Sequence, residues 1–212
     1  ASRLLKGLSD EARALFQLDV LRPPTFEQLG KTLREAKARG EPYHILHFDG
    51  HGVFAEGEAL RGVGGFSRLV FSDLREGNHG YLAFENPKQE DNTEFVDGPA
   101  LGKLLVETDV PVLVLNACRS AHAETENPAQ ASQTPKPQEP TPNYQLPITD
   151  SPDDAHALVR AFGSLAQEVM DTGVAGVVAM RYNVYVVTAA QFVADLYAAL
   201  AQGQSLGEAV TM

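Results

Sequence analysis

Val112-Leu113-Val114-Leu115-Asn116-Ala117-Cys118-Arg119-Ser120 is a short apolar run that stops at small and polar residues and at the only cysteine of the chain. Pro111 opens it, and it reads as a strand over 112–116. An earlier stretch has the same design. Tyr43-His44-Ile45-Leu46-His47-Phe48-Asp49-Gly50-His51-Gly52 runs through a strand at 43–48 and delivers a histidine 67 positions before Cys118. In an open parallel sheet the carboxyl ends of neighbouring strands face one crevice. A thiol and an imidazole brought there can form a nucleophile–base pair.

The surrounding pattern supports such a sheet. Leu4, Leu5, Leu8, Ala12 and Leu15 recur at helical spacing, which predicts a helix over 2–15. The alternation in 16–21 predicts a strand, ended by Pro23-Pro24. Thr25 and Gln28 form a capping-box pattern that opens a helix to about 39, closed by Gly40. Asp97 caps a helix to about 107. A helix with the apolar face Leu158, Ala161, Phe162, Leu165 and Val169 starts near Ser151 and ends at Gly173. A buried strand at 174–180 and an amphipathic helix at 187–202 follow. This strand–helix rhythm implies a mainly parallel sheet with helices on its faces. Two segments break the rhythm. In the glycine-rich stretch 53–95, candidate strands 68–71 and 81–84 flank the turn residues 76–80, which reads as a hairpin excursion. Seven of the 13 prolines fall between Pro128 and Pro152, so 122–152 reads as a mobile loop that buries little.

Composition limits the partners. A net charge of −11 over 212 residues disfavours direct nucleic-acid binding, which needs a basic face. An acidic surface suits protein partners. One cysteine excludes an internal disulfide framework and a cysteine-only zinc site, and it fits a reducing cytoplasm. No stretch is long and apolar enough to span a bilayer. The chain starts without an initiator methionine and stops as 205–210 opens another helix, so it reads as a single domain, 1–212, cut from a longer protein.

The two strand ends carry the chemistry. A cysteine attacks as thiolate, which a nearby imidazole helps to form. Acyl transfer also needs donors for the developing oxyanion, and the backbone N–H groups of Gly52 and Cys118 are the candidates. Gly50 and Gly52 let a substrate backbone come close to His51, and Ala117 and Ser120 leave the Cys118 sulfur accessible.

Ala117-Cys118-Arg119 resembles the glutamine-alanine-cysteine signature of caspases. Together with His47-Phe48-Asp49-Gly50-His51-Gly52 and Leu115-Asn116-Ala117-Cys118-Arg119-Ser120, the wider pattern resembles the CHAT family of caspase-like peptidase domains. Leu21-Arg22-Pro23-Pro24-Thr25-Phe26 and Gly176-Val177-Val178-Ala179-Met180 extend the likeness to nearly the whole chain. The resemblance implies a three-layer αβα caspase-like sandwich and a cysteine endopeptidase with a His51–Cys118 dyad. It implies an oxyanion hole from the N–H groups of Gly52 and Cys118, and no cofactor or metal. It further implies control by TPR repeats or a ligand sensor in the same polypeptide or complex, often in bacterial defence. The family fold also begins with a strand before its first helix, which this sequence does not show. For substrate binding, Asn116 stands where relatives that cut after basic residues carry an aspartate; Asp49 and Arg181 are the other candidates for the primary pocket.

Other readings compete. Gly50-His51-Gly52-Val53-Phe54-Ala55 matches a dinucleotide fingerprint, but a fingerprint needs a helix after it. Asp49-Gly50-His51-Gly52 also resembles an element of metal-dependent phosphatases, whose antiparallel sandwich conflicts with the strand–helix rhythm. His44 and His47 point to opposite faces of a strand, which argues against one metal between them. A catalytically silent caspase-like scaffold or switch is the alternative from another class.

Overall fold

The computed structural model describes residues 14–56, 69–70, 77–89, 92–116, 164–179 and 186–211. Their elements, in chain order, are α1 (Phe26–Ala38), β1 (Ile45–Asp49), β2 (Gly52–Glu56), β3 (Leu69–Val70), β4 (Asn78–Glu85), β5 (Thr93–Asp97), α2 (Gly98–Glu107), β6 (Val112–Asn116), a helical stretch α3 at 164–171, β7 (Gly176–Ala179), α4 (Val186–Ala201) and α5 (Leu206–Val210). The helix expected at 2–15 reaches the described residues only at its end. Cys118, Arg181 and the loop 122–152 lie outside them.

β1, β6 and β7 form a parallel sheet with β6 in the centre. Alternation divides its side chains between two faces. Leu46, Phe48, Leu113, Leu115, Val177 and Ala179 join a cluster with Leu29 and Leu33 of α1, Leu101, Leu104 and Leu105 of α2, and Leu165 and Val169 of α3. On the opposite face, Ile45, Val112, Val114 and Val178 meet Leu196, Ala199 and Leu200 of α4 and Leu206 and Ala209 of α5. The chain is therefore mixed α/β, with helices packed on both faces of a three-strand parallel sheet.

Local chemistry sets the element ends. Thr25 caps α1 by accepting from the Gln28 N–H at 3.1 Å, yet the Gln28 side chain turns to Thr32 instead of closing the expected box. Asp97 caps α2 by accepting from the Ala100 N–H at 2.7 Å. Ser205 and Glu208 make a complete capping box on α5. Gly173 closes α3 with φ +104°.

Two sequence expectations differ from the structure. Residues 16–21 are not a strand. Phe16 packs edge-on against Tyr197, Asp19 accepts from the Tyr43 hydroxyl at 2.8 Å, and Leu18 and Val20 are about half exposed (43% and 48%). Alternation without a partner ladder leaves the segment irregular. The strands expected to form a hairpin do not pair with each other either. The excursion is a four-strand sheet in the order β2-β4-β5-β3, in which β4 pairs antiparallel with β2 and β5, and β3 runs parallel to β5.

α2 approaches α3 at two glycines one turn apart. A Cβ on Gly98 would fall 2.7 Å from Glu168 Cβ, and one on Gly102 would overlap the Thr172 side chain. Thr172 cannot swing aside freely, because its hydroxyl donates to the Val169 carbonyl at 2.6 Å. Gly102→Ala gains up to about 1 kcal/mol of helix propensity but forces overpacking worth about 1–3 kcal/mol. The expected net effect is destabilisation, read as a lower denaturant midpoint.

His47 is a polar intrusion on the α4 face. Its Nδ1 lies 3.0 Å from the Tyr197 hydroxyl, and its Nε2 is buried without a hydrogen-bond partner among the described residues. Burial lowers the imidazole from 6.5 to about 4, against a smaller upward pull from Asp49. The unfolded chain thus takes up this proton at a higher pH than the folded chain. Stability from this group is complete above pH 6.5 and is lost as the pH falls to about 4. The loss amounts to roughly 3 kcal/mol. In His47→Asn, which keeps a polar partner for Tyr197, that part of the acid slope should vanish from unfolding curves measured between those pH values.

Candidate active site

The carboxyl ends of β1 and β6 lie side by side. The register pairs Ile45 with Val112 and continues in step to Asp49 opposite Asn116. Gly50 turns the chain immediately after β1. A Cβ there would sit 2.9 Å from the Phe48 ring, which itself packs 5.3 Å from the Phe84 ring. Glycine at this position therefore lets the turn close over a core aromatic.

His51 follows on the exposed side of the turn. Its backbone is anchored even though its side chain is open: the Ala83 N–H of β4 donates to the His51 carbonyl at 2.9 Å. The carbonyl of His51 and the N–H of Gly52 belong to one trans peptide group and point in opposite directions. With the carbonyl directed at β4, the Gly52 N–H is directed away from it. Among the described residues β2 is an end strand of its sheet, so that donor faces outward from the ladder. The histidine end thus offers an exposed imidazole beside an outward-facing backbone donor.

The remaining expected residues divide clearly. Asp49 ends β1 and is exposed, on the same strand face as His47. Asn116 is placed through its backbone, as the partner of Asp49. Cys118 and Arg181 lie outside the described residues. The histidines do not converge, since His44 is exposed and His47 is committed to Tyr197. Among the described residues no group of three or more His, Cys, Asp or Glu could hold a metal ion. The dinucleotide fingerprint fails on its own criterion, because Gly52–Glu56 is a strand where a helix is required. No helix among the described residues is long and apolar enough to cross a membrane.

The sequence reading missed the polar groups behind the histidine end. His79 was expected in a turn but lies in β4, where its Nδ1 is 2.8 Å from Oε1 of Glu168 on α3. The available signal was Glu168 itself, an acid placed between Leu165 and Val169 on the apolar side of a helix.

A family model described as the CHAT domain matches residues 3–212. No curated protein and no solved structure matches the chain. CHAT domains are caspase-like and peptidase-related, and the matched span includes both strand ends. On this match, the chain belongs to the CHAT-domain family.

Proposed function

We propose that the chain is a cysteine endopeptidase working through a Cys118–His51 dyad. The observation that carries this reading is the register of β1 and β6. His51 is two residues beyond Asp49, Cys118 is two residues beyond Asn116, and Asp49 and Asn116 are paired. Two residues of chain span at most about 7 Å, which supports a reading in which both reactive groups serve one site. The helices on both faces of the parallel sheet support the finer assignment of a three-layer αβα caspase-like sandwich over 1–212.

In this mechanism the Cys118 thiolate adds to a peptide carbonyl and forms the carbon–sulfur bond. The oxyanion is held by the N–H groups of Gly52 and Cys118. His51 gives its proton to the leaving amine as the carbon–nitrogen bond breaks. It then takes a proton from water, which cleaves the thioester and restores the thiol. No metal or other cofactor takes part. Asp49, Asn116 and Arg181 are the candidate walls of the primary pocket, and the neutral Asn116 disfavours a simple basic-residue specificity. Protein substrates, a cytoplasmic setting and control by modules outside the segment, such as TPR repeats or a ligand sensor, complete the reading. A role in bacterial defence would follow from such control.

The test uses the full-length protein in its activated state, with a protein substrate and a thiol-reactive peptide probe. Cys118→Ala should abolish both cleavage and labelling. His51→Ala should lower kcat/KM about 10²- to 10⁴-fold. Wild-type protein that neither cleaves nor labels would leave the silent scaffold as the correct description. Metal-dependent phosphoester turnover that survives Cys118→Ala would overturn the dyad altogether.

A further inference from the structure

A partly buried polar cluster ties β4 to α3, with His79 opposite Ala55 of β2. The side chains of His79 and Glu168 are only 18% and 9% exposed, and His79 Nδ1 lies 2.8 Å from Glu168 Oε1. A carboxylate only accepts, so Nδ1 carries the hydrogen. Ser164 donates to the same oxygen at 3.1 Å. Tyr81 shares the strand face of His79, and its register partner across β5 is Asp97. The Tyr81 phenol is pushed up to about 12, by burial first and then by Asp97 and Glu168. The start of α2 completes the enclosure, because a Cβ on Gly98 would fall 3.0 Å from Glu168 Oε2.

An apolar pair of similar volume can join a strand to a helix about as stably as a hydrogen-bonded pair. What the hydrogen-bonded pair adds is a defined distance and direction. That geometry acts on the strand that anchors the histidine end, since the N–H that holds the His51 carbonyl belongs to Ala83, on the same strand four residues beyond His79. A displacement of β4 is therefore passed to the His51–Gly52 peptide and re-aims the Gly52 N–H. We propose that Glu168, acting through His79, is a positioning residue for the His51–Gly52 peptide. Its catalytic consequence rests on the endopeptidase reading; its structural consequence does not.

The experiment compares Glu168→Leu, Glu168→Gln and His79→Asn in the full-length protein. Amide hydrogen exchange is followed at Ala83 and at the core residue Leu105. Peptide turnover is measured per titrated active site. Glu168→Leu should speed exchange at Ala83 about tenfold while Leu105 stays protected, and should lower kcat about tenfold with KM unchanged. Glu168→Gln keeps an acceptor and His79→Asn keeps a donor, so both should stay within about threefold of wild type. If Glu168→Leu does not fold, His79→Leu removes the same hydrogen bond from the β4 side and should show the same Ala83 effect. Unchanged Ala83 exchange would overturn the proposal. So would equal acceleration at Ala83 and Leu105, which marks a general structural role. Selective Ala83 exchange in a protein that cleaves nothing would uphold the positioning and reject the endopeptidase reading.

Discussion

The parallel pairing of β1 with β6 is the constraint on which the rest of this structure depends. It sets Asp49 beside Asn116, the residues that precede His51 and Cys118 by two positions each in the sequence. A one-residue slip in this register would do more than offset that pair. It would exchange the two faces of β1, sending His47 toward the apolar cluster of α1, α2 and α3 and Phe48 toward α4. The packing on both faces therefore protects the alignment at the strand ends. Core and site are not separable here, because the residues that resist slippage are those that bury the sheet.

The second sheet supports one side of that alignment. β4 lies between β2 and β5, and its alternate residues Leu82 and Phe84 enter the same cluster as the parallel sheet. Phe84 contacts both Phe26 of α1 and Phe48 of β1 through its ring. The antiparallel excursion is thus fastened to the domain through its core face, while its other face carries His79 and Tyr81. One strand reports on hydrophobic packing and on a partly buried hydrogen bond together.

The sequence was most readable where a segment's own pattern decides its state. The strands 112–116 and 176–179 and the capped helices after Thr25 and Asp97 stand within a few residues of expectation. Reading failed where distant partners decide. The segment 76–80 has turn composition, yet Asn78, His79 and Gly80 pair with Glu56, Ala55 and Phe54, and among its described residues only Gly77 has a positive φ, +100°. Pairing overrode local preference. Residues 16–21 erred in the opposite sense, with a convincing alternation and no ladder to join. At the site, the histidine end could be read because glycines punctuate it. The support behind it could not, since His79 and Glu168 are 89 positions apart and neither carries a motif.

The direction of the Gly52 N–H is a property of a covalent plane. A side-chain donor must be withdrawn from its rotamers when an acceptor arrives, at a cost of about 0.5–1.5 kcal/mol for a flexible group. Here that freedom is already gone, because the far end of the same peptide is held by Ala83. The ordering is completed during folding, and any oxygen that reaches this edge meets a dipole that needs no rearrangement. The same rigidity has a reverse side. Such a donor cannot adapt to a misplaced acceptor, so any acceptor at this edge must bring its oxygen to where the N–H points.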